Sequence, residues 1–138
     1  MSGTTRARPR TLPSTTTRLQ TEMGNLFVTV SVDEDGEPFE VFGHLGKGGS
    51  FQNGVTELAC RLISLHLRRG TPLAEIIGQI RGISEMQPFF NKLDDGTTVA
   101  VLGLGDGIAH VLKAHLREKE ERQATQAEAE TAEAKRAA

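Results

Sequence analysis

The chain has no tryptophan, no tyrosine and a single cysteine in 138 residues. One thiol makes no internal disulfide, which excludes a stapled secreted scaffold and leads us to expect a reducing, cytoplasmic setting. Six phenylalanines carry all the aromatic bulk, so stacking on unpaired bases would rest on them alone. No apolar run approaches the ~18 residues a membrane helix needs. The basic N-terminus is not followed by the compact apolar segment of a secretory leader. Catalytic signatures are missing as well. There is no H-E-x-x-H, no Cys-His pair, no Walker pattern and no nucleophile elbow around Ser64.

Charge is present but unevenly placed. Residues 1–20 carry four arginines and no acid, a net +4. Residues 21–116 sum to −5 and residues 117–138 to −1. An acidic central region argues against a phosphate-tracking groove as the main business of the fold. The N-terminal segment, rich in Thr, Ser, Pro and Arg, reads as a disordered arm, with Arg6, Arg8 and Arg10 available for weak contact with nucleic acid. A length of 138 residues fits one domain with tails.

The clearest pattern runs from Gly24 to Gly49. Leu26, Val28, Val30 and Val32 alternate with Phe27, Thr29 and Ser31, the period of a half-buried strand. The acidic turn Asp33-Glu34-Asp35-Gly36-Glu37 follows, then the β-rich Pro38–Phe42, which together predict a hairpin. The hairpin feeds a loop, Gly46-Lys47-Gly48-Gly49. A glycine-rich turn before a helix is the kind of place where free backbone N–H groups attract an anion, with Lys47 adding a charge. A tight turn needing positive φ is the structural alternative.

Two helices come next. From Phe51 to Arg69, the apolar residues Val55, Leu58, Ala59, Leu62, Ile63 and Leu65 predict a stripe facing the core. Gly70 stops this helix, Thr71 is the expected N-cap of the next, and Pro72 its first residue. Leu73, Ile76, Ile77 and Ile80 give the second helix its apolar face. Both are expected to cover the hairpin, because an isolated hairpin is marginal in water. Residues 83–96 read as loop, Thr97–Leu102 as a third strand, and Asp106 as the N-cap of a last helix with Ile108, Val111, Leu112 and Leu116 inward. Beyond Leu116 the chain is charged and Ala-rich, either a solvated helix or disorder. The fold class is therefore α+β: a small antiparallel sheet packed against two to three helices.

These runs resemble the TSCPD domain, found at the C-terminal end of cobalamin-dependent ribonucleotide reductases and also as a short separate chain. The matching residues are Thr21–Val30, Pro38–Phe42, Leu45–Ser50, Arg61–Gly70 and Gly103–Ala109. The resemblance spans about residues 21–116, flanked by the arm (1–20) and the tail (117–138). Glu40 and Glu57 match positions typical of such domains.

The cysteines typical of that family look like a metal-binding set. Here their places are taken by Met23, Ser50 and Leu104, and the Cys-Pro after the second helix is missing near Ser84-Glu85. A closed zinc site needs about four N or S ligands, usually thiolates. A metal-free version of the domain is expected, with no cofactor in this chain. Cobalamin belongs to a partner reductase only.

Radical ribonucleotide reduction needs redox-active cysteine pairs within a large barrel, which one cysteine in 138 residues does not provide. Three functions follow as expectations. The first is an accessory module that docks on a reductase large subunit or a replication protein in deoxyribonucleotide supply. The second is a nucleotide- or nucleic-acid-binding protein using the arginine arm and Gly46–Gly49. The third is a structural domain that self-associates through hairpin edges and the C-terminal helix.

Overall fold

Leu26, Val28 and Val30 are fully buried, so the alternating run forms the strand its period predicts. The computed structural model describes residues 4–138. Three strands, β1 (Ser14–Thr21), β2 (Gly24–Val32) and β3 (Pro38–Leu45), form an antiparallel sheet in the order β1-β2-β3. Helices α1 (Ser50–Arg68) and α2 (Leu73–Ile80) follow. A second sheet pairs β4 (Phe89–Lys92) with β5 (Thr98–Val101), and α3 (Leu104–Ala137) ends the chain. The fold is α+β, as read. At the end of β2 the register with β3 shifts between Ser31 and Val32. This irregularity turns Ser31 inward and leaves Val32 half-buried, against simple alternation.

The disordered arm needs correcting. Ser14–Thr21 is strand β1, paired along its whole length with β2. Threonine suits a pleated surface, and Thr16 and Thr29 face each other with hydroxyl oxygens 2.7 Å apart. Only Leu19 and Thr21 of β1 are buried, so the strand shows no apolar alternation to read. Ahead of it, the segment from Thr5 to Arg10 is tied down by side chains. Arg6 Nη1 donates to Asp33 at 3.0 Å, and Arg69 Nε donates to Thr5 Oγ1 at 3.1 Å. Residues 1–3 of the expected arm lie outside the described residues.

The loop expected at 83–96 contains β4. Its Asn91 is buried, and its side chain binds the β1 edge like a further strand. It accepts the Gln20 N–H at 2.7 Å and donates to the Gln20 carbonyl at 2.8 Å.

Helix α1 also departs from its expected orientation. The buried residues are Thr56, Cys60, Ile63, Ser64 and Leu67. Val55, Leu58, Leu62 and Leu65, expected inside, are exposed. The inward face is set by how closely the helix lies against β3. A Cβ on Gly43 would sit 2.7 Å from Thr56 Cγ2 and 3.1 Å from Cys60 Sγ, so only small side chains fit there.

Helix α2 starts at Leu73 after Pro72, with no side-chain cap. The expected cap, Thr71, instead places its hydroxyl 2.9 Å from His66 Nδ1. Gly70, at φ +83°, makes the turn between the helices. Ile76 and Ile77 are buried, and Leu73 and Ile80 pack against the core.

Helix α3 buries Leu104, Ile108, Val111 and Leu112. Gly107 faces the sheet, where a Cβ would come 2.9 Å from Leu26 Cδ2. The 117–138 segment continues α3 as helix to Ala137. Lys119 reaches Glu37 at the hairpin tip (3.1 Å), and the residues beyond Glu120 are exposed.

Candidate functional site

Glu40, Glu57, Cys60 and Ser64 lie along the seam between β3 and α1. Strand β3 lies at the sheet border, so Val41 and Leu45 point their peptide groups away from β2. Two side chains of α1 take those groups. Ser64 Oγ accepts the Val41 N–H at 3.0 Å and donates to the Val41 carbonyl at 3.1 Å. Asn53 accepts the Leu45 N–H at 2.9 Å and donates to the Leu45 carbonyl at 3.1 Å. The outer edge of the hairpin is therefore covered by its own helix, which corrects the expectation of self-association through an open hairpin edge.

Glu40 is 1% exposed and anchors one end of the seam. Its Oε1 accepts from Arg8 Nε and, at 3.1 Å, from Arg68 Nη2. The Arg6 and Arg68 guanidinium groups lie 4.7 and 5.8 Å from the Phe39 ring centre, within cation–π reach. Glu40 Oε2 and Arg68 Nε are buried without a partner among the described residues. Of the three arginines expected to touch nucleic acid, Arg6 and Arg8 are paired with Asp33 and Glu40 while their own side chains stay 45% and 43% exposed, and Arg10 is exposed as well. Asp33 closes the hairpin turn by accepting the Asp35 and Glu37 N–H groups. Burial pushes its carboxyl up, but Arg6 and the two amides outweigh this and leave it below the usual carboxylate range.

Between these anchors lies an open groove of about 610 Å³, lined by Phe42, His44, Glu57, Cys60, Arg61 and Leu65 among others. Burial pushes the Cys60 thiol up to about 12, so it is a small core residue and not a thiolate nucleophile. Glu57 is held by Arg61 at 3.3 Å, the expected i,i+4 contact. No nucleophile faces a general base here.

The glycine loop sits at the start of α1 and does not line this groove. Gly46 donates to the Asn25 carbonyl at 2.8 Å and Gly48 to Leu45 at 3.1 Å, while Asn53 donates to the Gly48 carbonyl at 3.2 Å. None of the three glycines has positive φ, which corrects the structural alternative. Gly48 is required by space instead, since a Cβ would meet Leu45 Cδ2 at 2.5 Å. Lys47 is exposed. Helix α1 begins after Gly49 with no side-chain cap and no acid in its first turn.

The second glycine-rich run is a packing device. Asp106 is 4% exposed and does not cap its own helix. Its two oxygens accept the Gly82 N–H (2.7 Å) and the Leu102 N–H (3.0 Å), tying two loops together. The Leu104 N–H goes to Glu85 at 3.1 Å. His110 Nε2 lies 3.4 Å from Asp106. With His115 it lines a second groove, of about 860 Å³, between β1 and α3. Burial pushes the His115 imidazole below its ordinary value.

Glu40, Ser64, Arg68 and Asp106 all fall inside the runs that carried the resemblance, and each holds two elements together. A family model described as the TSCPD domain matches residues 3–116. The chain belongs to the TSCPD domain family. The match takes in β1 and the arginine segment ahead of it, so the domain begins well before residue 21. Neither a curated protein nor a solved structure matches the chain.

The residues at the positions of the family's typical cysteines do not suit a thiolate metal site. Leu104, at one cysteine position, is buried in the apolar core, and Met23 packs against that core. Ser50 is an exposed hydroxyl at the first turn of α1. A leucine offers no ligand, and a thioether and a hydroxyl are poor substitutes for thiolates. Among the described residues, no group of three or more His, Cys, Asp or Glu could hold an ion. Elemental analysis of purified protein is expected to give well under one equivalent of zinc.

Proposed function

We propose that this TSCPD domain is a non-catalytic accessory module that docks on a cytoplasmic ribonucleotide reductase large subunit and serves deoxyribonucleotide supply. TSCPD domains are associated with ribonucleotide reductases, and that association supplies the class of partner. The observation that carries the reading is the use made of the motif residues. Glu40, Ser64, Arg68 and Asp106 are spent on internal bonds, and the one thiol is buried and protonated. What remains available is surface.

The test is co-elution of the full chain with a purified cobalamin-dependent reductase. A stoichiometric complex is the expected result, with no ribonucleotide turnover by the chain alone. Turnover by the isolated chain, or failure to bind the reductase at micromolar concentration, sinks the reading.

A second reading is anion binding at Gly46–Gly49, favoured by the uncapped start of α1 beside the exposed Lys47. Titration with dATP is expected to shift the amides of Gly46, Lys47, Gly48 and Gly49. Unmoved amides remove this reading and leave the docking proposal intact.

A further inference from the structure

The largest apolar side chains of α1 point into solvent. Phe51 is 78% exposed, Leu58 61% and Leu62 54%, with Val55 and Leu65 beside them. Their spacing, 51-55-58-62-65, alternates four and three. That is the seam of a helix built to pack against another helix. The residues facing the domain fall on the opposite side of α1, so one helix carries two contact faces and the domain uses only one. With Phe42, which shares a groove with Leu65, the open apolar area is on the order of 600 Å², at the upper limit of what monomers ordinarily expose.

We propose that a second copy of this chain covers this face, as an antiparallel two-fold pair of α1 helices centred on Leu58. Three observations select this occupant. First, the seam nearly mirrors itself about its own middle. A two-fold axis at Leu58 sets Leu58 on its own copy and Phe51 on Leu65, and brings Leu62 within one residue of Val55, so the apolar surface is close to its own complement. Second, the area suffices: two copies cover on the order of 1,200 Å² in total, the lower bound of a specific interface.

Third, the charges favour the antiparallel sense. The seam residues are uncharged, and the neighbouring Arg61 then lies level with Val55 and not with a second cation. A parallel pair would set the basic ends, Arg68 and Arg69, side by side. Antiparallel helices also place the positive N-terminal end of one dipole against the negative end of the other. This inference does not depend on the reductase reading.

The experiment is the solution mass of the full chain by light scattering at micromolar concentration, with two kinds of variant. The wild type is expected at twice 14.9 kDa. Leu58→Glu, at an exposed position, is expected at the single mass with unchanged far-ultraviolet circular dichroism. Under oxidation, Leu58→Cys is expected to give a covalent dimer and Phe51→Cys none, because only the central residue meets its own copy. The buried Cys60 thiol does not compete.

A wild-type mass of 14.9 kDa overturns the proposal, as does a dimer that survives Leu58→Glu. Crosslinking at Phe51→Cys overturns the antiparallel sense. If Leu58→Glu abolishes reductase binding while the wild type alone is monomeric, the face belongs to the reductase and not to a second copy.

Discussion

The two sides of α1 differ in the reverse of the usual sense. The side against the sheet is built from Thr56, Cys60 and Ser64 with Ile63 and Leu67. The side toward solvent carries Phe51, Leu58, Leu62 and Leu65. Close approach explains the first side, because a helix lying on a strand border at Gly43 has room only for small groups, and it needs hydroxyl and amide groups to satisfy that border. The lesson is that apolar bulk marks where a helix makes contact, while its small polar residues mark where it makes contact closely.

The strongest way to test this contrast is at Glu40. Replacing it with Ala removes its charge-assisted hydrogen bonds to Arg8 and Arg68, each worth about 1.5–3 kcal/mol. Urea denaturation is expected to show that loss. A direct comparison of the two faces uses adjacent residues. Ile63→Ala, in the core, is expected to cost about 2–5 kcal/mol, whereas Leu62→Ala in the monomeric Leu58→Glu background should stay within about 0.5 kcal/mol. Equal costs at the two sites break the comparison.

Ser64→Ala strands the Val41 N–H and carbonyl and is expected to cost about 1–3 kcal/mol. The smallest effect is electrostatic. Because the Asp33 carboxyl is held low in the folded chain, its contribution is complete above the ordinary carboxylate pKa and disappears as pH falls through the lowered folded value. An acid titration of stability should therefore be flatter in Asp33→Asn than in the wild type.

What the sequence made legible follows from the same contrast. The β2 alternation, the hairpin turn, the glycine stop at Gly70 and the apolar face of α2 are local patterns, and each stands where the sequence places it. Strand β1 was hidden because it is a threonine-rich border strand with a single buried leucine. The face of α1 was misread because five large apolar residues outweigh a buried face of threonine, cysteine and serine. The Glu40 cluster joins residues 32 and 28 positions apart, a distance no local spacing reveals, although the basic N-terminal segment was its one visible trace. The glycine loop stands before a helix as its spacing indicates, but none of its glycines has positive φ, and Gly48 is needed for space.

Asn53 and Asn91 have a consequence for how this molecule meets others. Each presents one donor and one acceptor to a peptide at or next to the end of a border strand, Leu45 on one flank and Gln20 on the other. These amides act as end stops. Along the stretches they occupy, an incoming extended chain finds the backbone already spoken for, and stacking of the cross-β kind is refused. A fold closed in this way leaves companionship to its helices.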